Sequence, residues 1–150
     1  MYKGSFVHRL TKILVDIMFH CGIVCCVAVP FAMPAMARYF GYSESLNLPF
    51  TVILFASGIC ALYILWQLKA MFKTLLGGNP FIGANVSCLR KCAVASFLIA
   101  IIFAVKSFFW FSVMTTAAVV IFALLGLFCL TLKDIFKQAI AYKEENDWTV

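Results

Sequence analysis

The chain has 150 residues, of which 65% are hydrophobic and only 12% charged, and its formal net charge is +6. Soluble domains carry roughly 45–50% apolar and 25% charged residues, so this composition excludes a water-soluble globule of this size. The basic excess is interpreted as a topological signal. Direct nucleic-acid binding is not expected, because the chain lacks an arginine-rich run or a basic stripe with interleaved aromatic residues.

Four apolar stretches predict an all-α membrane protein with one domain over residues 1–150. A membrane-spanning helix needs about 20 mostly apolar residues. The spans are predicted at about residues 13–37, 48–68, 92–110 and 112–132. The first span follows a basic start, as in a signal peptide, but it is longer than the roughly 7–15 apolar residues of such a leader. We therefore interpret it as a membrane helix that is retained.

The segment between spans two and three, residues 69–91, is predicted to be a cytoplasmic loop. The second helix is expected to continue to Leu76 and to stop at Gly77, since glycine tolerates the backbone conformation of a helix C-cap. Asn85 is predicted to be the N-cap of the third helix, because its side-chain oxygen can accept a hydrogen bond from a free backbone N–H.

Lys106 lies only 14 residues beyond Cys92, or about 21 Å of helix, which is too short to cross a hydrocarbon core about 30 Å thick. The third helix is therefore predicted to continue towards Trp110, and the Lys106 side chain to extend outward to the lipid headgroups. After the fourth span, residues 133–150 are predicted to form a cytoplasmic tail that begins as a helix and ends with acidic residues.

Basic residues predict the orientation, because they resist translocation and remain on the cytoplasmic side. Ten of the twelve fall in the N-terminal segment, the middle loop and the tail, and only Arg38 and Lys106 fall elsewhere. Both termini are therefore predicted to be cytoplasmic in a bacterial inner membrane. The short outer connections predict two antiparallel hairpins, packed as a four-helix bundle.

A short sequence recurs where spans two and four end. Leu68-Lys69-x-x-Phe72-Lys73 is repeated 64 residues later as Leu132-Lys133-x-x-Phe136-Lys137. The repeat is typical of a duplicated hairpin, in which spans two and four would superimpose in parallel. An alternative is that lysine and phenylalanine both favour the membrane interface at a helix exit.

Asp16 and His20 are the candidate polar pair within the membrane. Residues four apart share one face of a helix, and ionisable groups inside a bilayer usually face protein or water. The functional interpretation is a proton relay or half of a metal site. The structural interpretation, which we favour, is a polar contact that fixes helix packing.

Cys88 and Cys92 are one helical turn apart, but a zinc site needs four ligands and only His8 is an obvious addition. Most of the seven cysteines lie in apolar runs, and no disulfide framework is expected on a reducing face. No metal or cofactor site and no catalytic motif is predicted, so the protein is expected not to be an enzyme.

The middle loop and the tail form the candidate interaction surface. The loop mixes cations with apolar residues and contains no acid, so it suits an anionic lipid surface, and the acidic tail offers an alternative partner for its cations. The candidate residues are Lys69, Lys73, Asn79, Pro80, Phe81, Asn85, Arg90, Phe136, Glu144, Glu145 and Asp147.

The same segments carry a family resemblance. Gly78-x-Pro80-Phe81-x-x-x-Asn85-x-x-x-Leu89-Arg90-Lys91, with Ile135-Phe136-Lys137 and Glu144-Glu145-Asn146-Asp147-x-Thr149-Val150, resembles an uncharacterised bacterial family of small four-span inner-membrane proteins. Ala139 and Trp148 depart from the glycine and leucine that the family's tail prefers. The resemblance implies a regulatory partnership at the cytoplasmic face, with a helix-turn-helix regulator as one candidate partner.

The leading hypothesis is a non-enzymatic membrane protein that regulates, senses or tethers through its loop and tail. One alternative is a transporter or channel subunit in which Asp16 and His20 line the pore of a homo-oligomer. Another is an immunity or stress-protection protein that occupies a membrane target. The lipid bilayer is the one partner that the composition itself implies.

Overall fold

A computed structural model describes residues 6–40, 44–77 and 81–148. They form four α-helices: α1 (Phe6–Phe40), α2 (Glu44–Leu76), α3 (Gly83–Phe109) and α4 (Val113–Trp148). The described residues contain no strand. The prediction of an all-α protein with four long helices is confirmed.

Each helix is long and apolar enough to cross a membrane. They have 35, 33, 27 and 36 residues, so they are about 40–54 Å long, more than the roughly 30 Å hydrocarbon core. Each predicted span lies almost entirely within one helix, and the helices continue past it. In particular, α2 continues to Leu76 and α3 already begins at Gly83, so both helices extend into the predicted loop 69–91. Since a helix satisfies its own backbone hydrogen bonds, it can continue into the interface.

The ends of α2, α3 and α4 test the local predictions. α2 stops at Leu76, directly before Gly77, and α4 runs through the first part of the tail to Trp148, both as predicted. α3 ends at Phe109 with Trp110 as its C-cap, so the predicted continuation towards Trp110 is confirmed. The N-cap prediction was wrong: Ile82 is the N-cap and makes no side-chain cap, while Asn85 lies inside the first turn.

Helices that follow each other in the sequence run in opposite directions. Along α1, Asp16, Gly22 and Cys26 meet Lys69, Leu62 and Gly58 of α2 in turn, so the partner numbers fall as the α1 numbers rise. The partners of α2 on α3, and of α3 on α4, follow the same descending order. Among the described residues, close backbone approaches join only α1 to α2, α2 to α3 and α3 to α4. Within the described residues, α2 thus packs on α1 and α3, and α3 packs on α2 and α4, so the four helices form a row.

α3 is one of the two inner helices of this row and contains most of the buried residues among those described. Cys92 and Ala93 of α3 form the core with Cys129 of α4, and Ile64 of α2 and Phe97 of α3 pack against it. By contrast, the described residues of α1 contact α2 alone among the helices and leave most of their large apolar side chains exposed. Such an apolar outer surface is stable when lipid tails cover it.

A glycine allows α3 and α4 to approach closely. Gly126 of α4 is buried against the ring of Phe97, and a Cβ atom at position 126 would lie 2.9–3.0 Å from three ring atoms. Small residues at helix interfaces in membranes permit such contacts, and dispersion between the closely packed atoms stabilises the pair.

Candidate functional site

One end of the row of helices contains most of the charge. We define the basic end as the start of α1, the end of α2, the start of α3 and the C-terminal part of α4. The described basic residues there are Arg9, Lys12, Lys69, Lys73, Arg90, Lys91, Lys133, Lys137 and Lys143. Of the described basic residues, only Arg38 and Lys106 lie at the opposite end. The basic end is therefore the candidate site. Its internal contacts decide which of its side chains remain available to bind a partner.

A buried amide joins α2 to α3 at the basic end. The Asn85 side chain is only 2% exposed, and its Oδ1 lies 2.9 Å from the hydroxyl oxygen of Thr74. The same hydroxyl lies 2.7 Å from the backbone carbonyl oxygen of Met71, so its single hydrogen is shared between two acceptors. Because a buried polar group is costly without a partner, this bond fixes how the two helices meet at the turn.

An aromatic contact joins the turn to the tail. The rings of Phe81, just before α3, and Phe136, on α4, have centroids 5.4 Å apart and are tilted by 49°. This is a favourable separation for an aromatic pair. The two segments that carry the family resemblance are therefore in direct contact. Asn79 and Pro80 lie outside the described residues.

An ion pair joins α1 to α2. Lys69 Nζ lies 2.9 Å from Asp16 Oδ1 and 5.5 Å from the centroid of the Phe19 ring, so the ammonium lies close to both a carboxylate and an aromatic ring. The side chains of Lys69 and Asp16 are 40% and 32% exposed. The favoured interpretation of Asp16 was a contact that fixes helix packing, and this ion pair has that geometry.

The proposed pairing of Asp16 with His20 does not form between their side chains. His20 Nδ1 lies 2.6 Å from the backbone carbonyl oxygen of Asp16, to which that nitrogen donates when protonated. The His20 ring is exposed on α1, with the Phe19 ring edge-on to it. The Asp16 carboxylate instead lies beside Lys69, a full positive charge on the neighbouring helix, which is a strong partner for a carboxylate.

A charge swap tests the ion pair. Asp16→Asn and Lys69→Gln are each expected to lower the melting temperature in detergent, because each leaves one charge unpaired. The double variant Asp16→Lys/Lys69→Asp should recover most of the loss, since the attraction is restored with the charges exchanged. Lys73→Gln, at an exposed lysine one turn further along α2, is the matched control and should have little effect. Failure of the swap to recover stability would contradict the pairing.

The cysteines lie on the helices and range from buried to exposed. Cys92 is buried with its Sγ 4.0 Å from the carbonyl oxygen of Ile64, and Cys88 is half-buried. All seven cysteines are free thiols. In the part of the chain that the structure describes, no three histidine, cysteine or acidic side chains lie close enough to hold a metal ion. The His8 side chain lies outside that description.

The acidic tail continues α4 beyond the turn between α2 and α3. Glu144 and Glu145 are exposed near its end, about 12 Å of helix past the Phe136 contact. Asp147 lies in the last turn of α4, and its side chain is outside the described set. Among the cations that the tail was predicted to pair with, Lys69 has Asp16 as its partner instead. The predicted lock between tail and loop otherwise remains a prediction.

The two copies of the repeated sequence make different ion pairs. Lys69 reaches across to Asp16 of α1, whereas Lys133 pairs with its neighbour Asp134, with 3.0 Å between the charged atoms. α2 ends three residues after the first copy, whereas α4 continues for eleven residues after the second. Of these two ion pairs, only the one at the first copy joins two helices.

At the opposite end, Lys106 turns towards protein. Its Nζ donates a hydrogen bond of 2.7 Å to the hydroxyl oxygen of Thr115 and lies 5.4 Å from the Phe50 ring centroid. The predicted extension to lipid headgroups is replaced by these contacts, because Thr115 is buried and its hydroxyl faces α3. Lys106 thus links α2, α3 and α4 at this end.

These observations first define the class: the chain is a multi-pass membrane protein whose four helices are joined at one end by an ion pair, a buried amide and an aromatic contact. A family model described as protein of unknown function, DUF2975, matches residues 32–150, 119 of the 150 residues. The chain belongs to this family. No curated protein and no solved structure matches it.

The matched range separates two parts of the site. Thr74, Asn85, Phe81 and Phe136 lie within residues 32–150, whereas Asp16 lies outside them. Sequence reasoning selected three of these four and missed Thr74. The available signal was a threonine in the last turn of α2, 11 residues before an asparagine near the start of α3.

Proposed function

We propose that this protein is a non-enzymatic regulatory, sensing or tethering module that acts through its basic end and the projecting part of α4. The observation that carries the proposal is the contact between Phe81 and Phe136, which joins the turn to the tail. A change in the packing of the helices would move this contact, and with it the exposed end of α4. A cytoplasmic protein bound there would sense that movement.

The surroundings of the aromatic contact support this proposal. The Thr74–Asn85 bond joins α2 to α3, and the Asp16–Lys69 pair joins α1 to α2. The tail therefore leaves the protein beside three helices that are linked to each other. From there the last turns of α4 project with exposed side chains of both signs, including Lys143 and Glu144. A mixed-charge helical surface suits recognition of a polar protein partner.

The proposed setting is the inner membrane of a bacterium, with both termini cytoplasmic. The unequal distribution of cations supports this orientation, since the basic end contains nine of the eleven described lysines and arginines. The partner class that the family resemblance implies is a helix-turn-helix regulator. Homo-oligomerisation is compatible with the proposal but is not required by it.

Deletion of residues 141–150 tests the proposal. With the tag at the N-terminus, the deletion is expected to abolish recovery of the cytoplasmic partner from solubilised membranes, while the protein still inserts and melts normally, because the Phe136 contact is retained. Glu144→Gln/Glu145→Gln should reduce recovery severalfold if charge contributes. Asp134→Asn, an acid on the same helix before the projecting part, is the control. Unchanged recovery after the deletion would refute a role for the tail.

A further inference from the structure

A groove of about 340 Å³ lies between α2 and α3 on their outer surface, apart from the contacts at the turn. Its lining runs along α3 from Arg90 to Leu98, which is about 12 Å of helix. Two of the lining residues, Ala95 of α3 and Cys60 of α2, have small side chains, which leaves space between the two helices. The groove therefore extends from the charged interface into the apolar part of the helices.

The two ends of the groove differ in chemistry. Arg90 and Lys91 line its outer end, and neither has an ion-pair or hydrogen-bond partner among the described residues. The remaining lining is mostly apolar and includes Ile59, Val94 and Leu98. In the described part of the chain, no acidic residue lines the groove. Two cations at one end of an apolar groove match a phosphate group joined to an acyl chain.

We propose that this groove binds one anionic phospholipid, with the headgroup phosphate at Arg90 and Lys91 and one acyl chain along Val94 and Leu98. The guanidinium can donate two parallel hydrogen bonds to phosphate oxygens, and the ammonium adds a second positive charge. Basic pockets between transmembrane helices at the membrane interface are suited to such headgroups. The site is independent of the proposed role of the tail, since it shares no residue with it.

Native mass spectrometry of the full-length protein in detergent tests the site. The probes are phosphatidylglycerol and phosphatidylethanolamine with identical acyl chains, which differ in net headgroup charge. One phosphatidylglycerol is expected to bind in preference to phosphatidylethanolamine. Arg90→Gln/Lys91→Gln should weaken phosphatidylglycerol binding roughly tenfold or more, because two cations near the phosphate are removed. Lys73→Gln/Lys137→Gln, which removes two exposed cations outside the groove, should leave it nearly unchanged.

A second pair of variants tests the apolar part without altering charge. Val94→Trp fills the groove and should reduce phosphatidylglycerol occupancy severalfold, whereas Val105→Trp, a similarly exposed position on α3 outside the groove, should not. Tryptophan fluorescence melting checks that each variant folds. If Arg90→Gln/Lys91→Gln and Lys73→Gln/Lys137→Gln weakened phosphatidylglycerol binding equally, the attraction would be diffuse. That result would overturn the proposed site. Equal binding of the two lipids, or equal occupancy in both tryptophan variants, would also overturn it.

Discussion

Gly126→Leu is expected to lower the free energy of unfolding by about 1–3 kcal/mol, through overpacking of the α3–α4 contact. Even a Cβ atom added at this position would lie 2.9–3.0 Å from three atoms of the Phe97 ring, and leucine adds three further carbon atoms. Either the ring must turn away or the helices must separate. Both outcomes disturb the most extensive helix contact in the row, which thermal melting in detergent would measure.

Gly83→Leu is the matched control, because a Cβ at Gly83 meets no atom within 4 Å. The same exchange there should be neutral or slightly stabilising, since leucine is the better helix former. Combining Gly126→Leu with Phe97→Ala should recover part of the lost stability by exchanging volume across the contact. Equal melting temperatures for Gly126→Leu and Gly83→Leu would contradict the close approach seen at Phe97.

Asn85→Ala is expected to lower the free energy of unfolding by about 1–3 kcal/mol, because it removes a buried side chain and its hydrogen bond to α2. Asn85 is almost fully buried, and the Thr74 hydroxyl would retain only the Met71 carbonyl as an acceptor. The local consequence is a looser junction between α2 and α3. Cys88 and Cys92, one and two turns further along α3, would report this loosening as faster maleimide labelling.

Ser87→Ala is the control for this experiment, since Ser87 is exposed only two residues from Asn85. It should change neither the melting temperature nor the rate of thiol labelling. Thr74→Val should have a smaller effect than Asn85→Ala, because it removes the hydroxyl while keeping the shape of the side chain. An Asn85→Ala variant with unchanged labelling of Cys92 would show that the amide does not hold the junction.

The helices were predictable because the bilayer imposes a simple requirement on the sequence. A span must be apolar over about 20 residues and must satisfy its own backbone hydrogen bonds, so composition alone indicates four helices. Local signals also located some boundaries, such as Gly77 after α2 and Trp110 after α3. The Asn85 prediction failed because an asparagine near a helix start fits two uses, a cap and a contact with another helix.

The candidate site was predictable in its residues but not in its pairings. Phe81 and Phe136 were both selected as candidate residues. They are 55 positions apart, however, and nothing in the sequence indicates that their rings are in contact. Asp16 was paired with His20 because the two share a helix face, whereas its partner is Lys69 on α2. A choice between a near neighbour and a distant cation depends on how the helices are rotated about their axes.

By itself, the sequence determined the four helices, their approximate limits and the concentration of basic residues at one end. Only the tertiary structure decided that α3 contains most of the buried residues, that Asn85 is buried and that Lys106 turns towards Thr115. The physical reason is that lipid tails and a protein core are similarly apolar. A membrane helix is therefore apolar on all sides, and no stripe in its sequence marks the face that packs against protein.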